Sequence, residues 1–326
     1  MTSKTFFQKA KAKGIENIQI VETTENTGQM ELINKELETF EISNHTGYQI
    51  KAEYNGKTVK AASDYLDESI LDTIIMKATY TDSKYQDDYL TDKSHNNKMD
   101  DMPQIDISNE LDVLKELDDI RKDYPEVNNL TLSYSEIYEK KRIVNSNGVD
   151  IETACHLYEF VPEIVTKEKD STTSYDRVYL KTNKDSLNMK DNLIKDIKMA
   201  LKQAKKEKLK TQKYDIIVDS TVMKSILSNF IDMLSATNIR QKISCLEGKL
   251  NEKVFSDKLT IIEDPKNDDY PGATIFDDEG TETEKKEIIK DGVLKTYLYN
   301  IKEAKEQNQK TTGNGYSSIL SQEIKH

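Results

Sequence analysis

Hydrophobic and polar positions repeat with two periods along this chain. Residues 3–13 carry helical spacing, with Ser3 placed to cap the start and Gly14 just past the end. Ile18, Ile20 and Val21 then open a strand, and residues 29–63 predict β-hairpins. Tyr48, Ile50, Ala52 and Tyr54 alternate along one strand. Asn55-Gly56 follows, a pair suited to the left-handed backbone of a tight hairpin turn, and Thr58, Val59 and Ala61 return. Ile70, Leu71, Ile74 and Ala78 recur at helical spacing behind an Asp67 cap. Residues 81–107 are polar, acidic and without period, which predicts a long surface loop.

A second helix is expected over 109–122, with Ser108 as its cap and Val113, Leu114, Leu117 and Ile120 as its apolar stripe. Strands follow at about 129–138, 141–145, 149–165 and 174–182, with Asn147-Gly148 as a turn. The clearest helix covers about 188–207, where Leu193, Ile194, Ile197, Ala200, Leu201 and Ala204 line one face. Its other face is lysine-rich and runs into KKEKLKTQK, which places a domain boundary near residue 210. Beyond it, YDIIVD at 214–219 predicts a buried strand, 220–236 a helix, 258–263 a strand, and 286–299 a hairpin around Asp291-Gly292. The expected fold is α+β: a mixed N-terminal domain with β-hairpins over residues 1–210, and a β-rich C-terminal domain over 211–326.

Composition narrows the function classes. The chain has 326 residues, 36% hydrophobic and 33% charged, and its 17 Tyr and 7 Phe can anchor cores. The net charge of -12 argues against nucleic acid as a partner, because such binding requires a basic surface that displaces counterions. The lysine run fits a solvated helix face leading into a linker better than a nucleic-acid patch. The two cysteines, Cys155 and Cys245, lie far apart, which fits a reducing compartment. The amphipathic start is unlike a signal peptide, and no apolar run approaches the roughly 20 residues of a membrane span. These features together predict a cytoplasmic protein with no membrane partner.

Candidate chemistry is sparse. The four histidines, His45, His95, His156 and His326, include no pair one helical turn apart, the spacing a helix-borne zinc site needs. Cys155 and His156 are adjacent, so on a strand they point to opposite faces, and a buried thiol beside an ordinary imidazole is the favoured reading. Nucleophile-elbow and nucleotide-binding glycine patterns are missing. Asp277, Asp278, Glu279 and Gly280 form an acidic cluster that suits a cation or acid–base pair, but it lacks the alternating ligands of a calcium loop and suits a turn ending in glycine. Thr311, Thr312, Gly313, Asn314 and Gly315 form a second loop, whose glycines permit close backbone approach.

In sequence order, these segments resemble the TldD/PmbA family. The resemblance rests on LEGKL at 246–250, VFSD at 254–257, LTIIEDP at 259–265, IFDDEG at 275–280, IIKDGVLK at 288–295, Tyr299-Asn300 and Thr312-Gly313-Asn314. The hairpin at 47–63 and the VNSNG turn at 144–148 agree more loosely. The resemblance implies a subunit of a TldD/TldE-type metallopeptidase, acting in proteolysis and peptide maturation. In the zinc-bearing branch a helix upstream of the segment matching 248–257 carries HExxxH. Here residues 225–245 contain no histidine, and Asp232 is their only acid. That matches the PmbA (TldE) type, with no cofactor in this chain and zinc in a TldD-like partner.

The implied partners are that zinc-bearing subunit and a peptide or unfolded polypeptide substrate, bound extended by strand addition. Asp277, Asp278, Glu279, Gly280, Thr312, Gly313 and Asn314 are then expected to be structural or interface residues, without a metal. The alternative is a non-enzymatic binding protein, after the family's older label of DNA gyrase modulator. Family members continue beyond the Thr-Gly-Asn segment into further strands, whereas this sequence stops at His326. An incomplete C-terminal domain with open strand edges, less stable than that of a full-length relative, is therefore expected.

Overall fold

The structure is a computed structural model that describes residues 1–80, 89, 101–168, 171–205 and 209–316. Most of the expected 81–107 loop, part of the lysine run, His95 and His326 lie outside the described residues. Helix α1 (Ser3–Ala12) buries Phe6 and Ala10. Its cap is Thr2 and not Ser3. Thr2 still has an extended backbone, and its hydroxyl accepts a hydrogen bond from the Thr5 amide at 3.3 Å. Strands β1 (Ile15–Ile33) and β2 (Glu36–Tyr54) form a long hairpin. It turns at Asn34 and Lys35, both with positive φ. The Asn34 carboxamide oxygen accepts from the Leu130 amide and the Arg121 guanidinium, which holds this turn against the next part of the chain. The Asn55-Gly56 turn leads into β3 (Lys57–Ser63) as expected. Asp67 accepts from the Ser69 amide ahead of α2 (Ser69–Tyr80), whose buried residues are the four anticipated.

The end of the expected surface loop is not on the surface. Ile105 and Ile107 are buried in the core, packed over Gly28 of β1. Two isolated isoleucines carry no period, so the sequence pattern could not reveal them. Helix α3 (Glu110–Asp118) follows, continued by a 3-10 turn at Asp119–Asp123. Ser108 does not cap it but donates to Asp106, and Val113 is exposed while Leu114 and Leu117 are buried.

Strands β4 (Val127–Asn145) and β5 (Asp150–Glu168) are each continuous over 19 residues. β6 (Ser171–Asp176), β7 (Tyr179–Lys181) and helix α4 (Met189–Ala204) complete this part. The sheet runs β3-β2-β1-β4-β5-β6, with β7 also on β5, and every pairing is antiparallel.

Two hydrophobic cores lie toward opposite ends of one sheet face. Ile20, Ile50 and Val144 sit across from one another under α1 and α2. Met30, Tyr134 and Phe160 do the same beneath α3 and α4. Between the cores that face is polar, with Glu22, Arg142 and Glu152 in register. This explains why β4 reads as two strands in the sequence. The hydrogen-bond ladder continues where the hydrophobic alternation fades.

In the C-terminal part, α5 (Ser220–Ile231), a 3-10 turn (Asp232–Leu234) and α6 (Ala236–Arg240) divide the single helix expected at 220–236. Strands β8 (Ile261–Glu263), β9 (Lys286–Lys290) and β10 (Val293–Leu294) form a small antiparallel sheet, and α7 (Ile301–Glu306) follows. Their core gathers Leu234, Leu246, Ile289, Leu294, Tyr297 and Tyr299. The expected strand at 214–219 is a correction: it joins no ladder, and Ile217 is 100% exposed. An apolar β-type run forms a strand only where a neighbour satisfies its amides and carbonyls, and none does so among the described residues. Among the same residues no helix is long and apolar enough to cross a membrane.

Gly28 shows how tightly the N-terminal core closes. A Cβ there would lie 2.7 Å from Ile105 Cγ2 and 3.1 Å from Ile107 Cγ2. Gly28→Ala is expected to destabilise the protein by about 1–3 kcal/mol through overpacking, read as a lower midpoint in urea denaturation.

Candidate functional site

The acidic cluster and the Thr-Gly-Asn loop, far apart in sequence, meet at the seam between the long sheet and the C-terminal part. Asp277 is fully buried. One carboxylate oxygen accepts from the amides of Glu279 at 3.0 Å and Thr281 at 2.8 Å, and the other from the Gly315 amide at 2.8 Å. Burial pushes its pKa up, against the pull of those three amides. Gly280 has a φ of 84°, which lets the chain fold back so that the Asp277 amide donates to the Thr281 carbonyl.

Asp278 points the other way, into the long sheet. Its carboxylate meets Lys141 Nζ of β4 at 2.9 Å, and its carbonyl accepts from Gln19 Nε2 of β1 at 2.9 Å. Burial works against the Lys141 ammonium, but Asp278, with Glu139 and Cys155 nearby, more than offsets it and the lysine pKa is raised. Around this pair Val21, Ile143, Val149 and Ile151 close over Phe276. Glu279 accepts from the Ile301 amide at the start of α7.

The second loop is bonded as densely. The Thr312 hydroxyl accepts from the Tyr299 amide and donates to Asn314 Oδ1, each at 2.7 Å. Asn314 Nδ2 donates to both oxygens of Glu263 on β8, and Lys286 of β9 binds Glu263 at 2.8 Å and the Thr312 carbonyl at 2.7 Å. Gly313 has positive φ and sits against Glu282, where a Cβ would lie 2.9 Å from its carbonyl oxygen. All seven residues singled out in the sequence therefore belong to one interlocked region. Gly315 of the same loop and Glu263 of the LTIIEDP segment complete it together with Lys141, Gln19 and Lys286, three residues that nothing local in the sequence marks.

Two clefts flank the seam. The larger, about 490 Å³, lies among Gln19, Lys60, Arg240, Glu279, Glu303 and Tyr316. The smaller, about 290 Å³, includes Glu139, Lys141, Cys155 and Tyr316. Burial raises the Cys155 thiol to about 11, so it is protonated at neutral pH and a poor nucleophile. His156 lies on the opposite sheet face, bound to Glu136 at 2.8 Å and set between the rings of Tyr138 and Tyr158. Among the described residues, no three His, Cys, Asp or Glu side chains come together as a metal site.

Two family descriptions match the chain: "PmbA/TldA metallopeptidase central domain" over residues 100–207 and "PmbA/TldA metallopeptidase C-terminal domain" over 211–325. The chain belongs to the PmbA/TldD metallopeptidase family. It is 32% identical over 192 residues to a protein named "Metalloprotease PmbA homolog" from Buchnera aphidicola, a match covering 53% of this chain and 43% of that one. The chain thus spans less than half the length of the curated relatives it matches, 42% in the case of a Methanocaldococcus jannaschii protein. The fold is shared with a Bacteroides thetaiotaomicron structure labelled a candidate modulator of DNA gyrase, at TM-score 0.83 and 22% identity, covering 97% of this chain and 75% of that one. It is shared as well with TldE from Thermococcus kodakarensis, at TM-score 0.68 and 18% identity, covering 98% and 74%. The curled antiparallel sheet with hairpins and the mixed helix and strand content therefore agree with the PmbA/TldD fold.

The seam generates two expectations. Lys141→Met alone leaves Asp278 buried without its cation and should cost about 3–5 kcal/mol, whereas Lys141→Met with Asp278→Leu should cost clearly less; urea denaturation compares them. Glu303 of α7 forms a bidentate pair with Arg240 at 2.8 Å, which holds its carboxyl below the usual 4.5. A depressed carboxyl contributes stability that is full above its unfolded value and is lost as pH falls through the folded one. Glu303→Gln should therefore lower the melting temperature at neutral pH, and its deficit relative to the parent should shrink as pH falls below about 4.5.

Proposed function

We propose that this chain is the PmbA/TldE-type subunit of a TldD/TldE-type metallopeptidase, acting in proteolysis and peptide maturation in the cytoplasm. The observation that carries this reading is the chemistry of α5 and the turn after it. Residues 225–245, which correspond by resemblance to the zinc-bearing stretch of the other branch, contain no histidine. Of the polar side chains on α5, Ser228 and Asn229 both donate to the Ser225 carbonyl, bonds that stay within the helix. Within the stretch only Asp232 and Cys245 are of a zinc-ligand type, and no third such side chain joins them among the described residues, whereas zinc takes three or four protein ligands. No catalytic step is assigned to this chain.

The activated water and its metal would come from a TldD-like partner, and this subunit would supply shape and contacts to an extended peptide. The seam supports that division of labour. A buried ion pair, three backbone amides on Asp277 and two glycines in close contact tie the groups of the seam to one another. The gyrase-modulator reading rests on the label carried by structural neighbours, and the net charge of -12 lends it no support.

The test is metal analysis and a peptidase assay on the purified chain, alone and after co-expression with an HExxxH-bearing relative. The chain alone should hold no stoichiometric zinc and cleave no peptide. The pair should cleave peptide, and a chelator should abolish the activity. Stoichiometric zinc with chelator-sensitive cleavage by the chain alone would overturn the proposal.

A further inference from the structure

The long sheet has an edge that no described strand covers. β3 pairs with β2 only over residues 48–54, so the outer backbone of 36–47 has no strand beside it among the described residues. Unpaired strand edges invite another chain, and proteins usually blunt them with Lys or Pro. Residues 36–47 (ELETFEISNHTG) contain neither. A bulge lies near Glu38, and regular pairing with β1 holds from Thr39 onward.

The two faces of this edge differ sharply. Leu37 is in register with Leu32, Phe40 with Met30 and Ile42 with Gly28, the glycine beneath Ile105 and Ile107. Opposite residues in an antiparallel pair share a face. Leu37, Phe40 and Ile42 therefore continue the α3/α4 core outward, yet they are 44%, 46% and 54% exposed. On the other face Glu41 stands opposite Gln29, one same-face pair away from Glu31, whose partner is Thr39, and two pairs away from Glu25, whose partner is His45. Glu25 accepts from the Thr27 hydroxyl and Glu31 from that of Ser133. No ion pair reaches Glu25, Glu31 or Glu41 among the described residues.

We propose that this edge of β2 receives an extended segment of a partner protein in which apolar residues alternate with Lys or Arg. Successive side chains of an added strand point to opposite faces. Its apolar residues would cover Leu37, Phe40 and Ile42 and enlarge the core. Its cations would reach Glu25, Glu31 and Glu41 on the other side. A second copy of this edge is a poor occupant, because 36–47 is itself acidic and self-pairing would crowd carboxylates together. Binding here requires neither zinc nor a second peptidase subunit, so its test stands apart from the peptidase assay.

The probe is an acetylated, amidated peptide alternating Lys and Val, titrated into the full chain by fluorescence anisotropy. Two controls share its composition or sequence. One groups all Lys before all Val, and the other is N-methylated along one edge so that it cannot complete a ladder. The alternating peptide should bind at least about tenfold more tightly than either control, as several cross-strand pairs act together. Ile42→Lys, at a position 54% exposed, should weaken it by about tenfold as well. Circular dichroism checks that the variant is folded, and the N-methylated control needs no variant. Equal affinity for alternating and grouped peptides would reduce the effect to charge and overturn the proposal. So would no binding at all, which means the edge is already covered by the chain itself, or a dimer in sedimentation that Ile42→Lys dissolves, which makes a second copy the occupant.

Discussion

Lys141 and Asp278 meet where both are largely shielded from water. An ammonium and a carboxylate in such a place are costly apart and acceptable only together. Their pairing therefore fixes where the C-terminal part sits on the long sheet. The same turn that presents Asp278 outward points Asp277 inward, toward the amides of Glu279, Thr281 and Gly315. The alternation of the two carboxylates lets one turn serve both sides of the seam. Asp277 gathers the C-terminal loops, and Asp278 with its own carbonyl grips β4 and β1. The apolar contact of Phe276 with Val21, Ile143, Val149 and Ile151 excludes water from that grip and strengthens it.

The long strands are the other half of the arrangement. β1 and β4 each have one end in the core under α1 and α2 and the other in the core under α3 and α4, while β2 is covered at its 48–54 end only. Nineteen-residue strands can span both, at the cost of a polar middle that no helix covers. The interior pairs of that middle are matched: Arg142 with Asp150, Lys140 with Glu152, His156 with Glu136. Among the described residues the acidic side chains at the β2 edge have no such partners, and the contrast distinguishes that edge from the middle of the sheet.

The chain belongs to the PmbA/TldD metallopeptidase family, and the residues that carry that likeness are knitted together at the seam. Its dense hydrogen bonds are spent on loops 277–281 and 312–315, which carry the segments that resemble the family. Glu263, Lys286 and Asn314 are bound to one another rather than left open to a ligand. Cys155, the one thiol beside a cleft at the seam, is kept protonated by burial.

Much was legible from sequence because it is local. Asn55-Gly56 and Asp291-Gly292 fix tight turns wherever they occur, since their backbones adopt positive φ at little cost. The α2 and α4 stripes name their own buried faces, and the ordered short segments of the C-terminal part identify the family. What sequence could not decide depends on distant neighbours. YDIIVD has every local preference for a strand and forms none, because a strand exists only through a partner's amides and carbonyls. Ile105 and Ile107 are core residues only because Gly28 leaves room for them. Asp277 and Asp278 look like any acidic turn until Lys141, more than a hundred residues earlier in the chain, is brought within hydrogen-bonding distance. Local pattern determined the turns, the helices and the family; long-range pairing, which has no code within a short window, decided the sheet, the seam and the one edge left open.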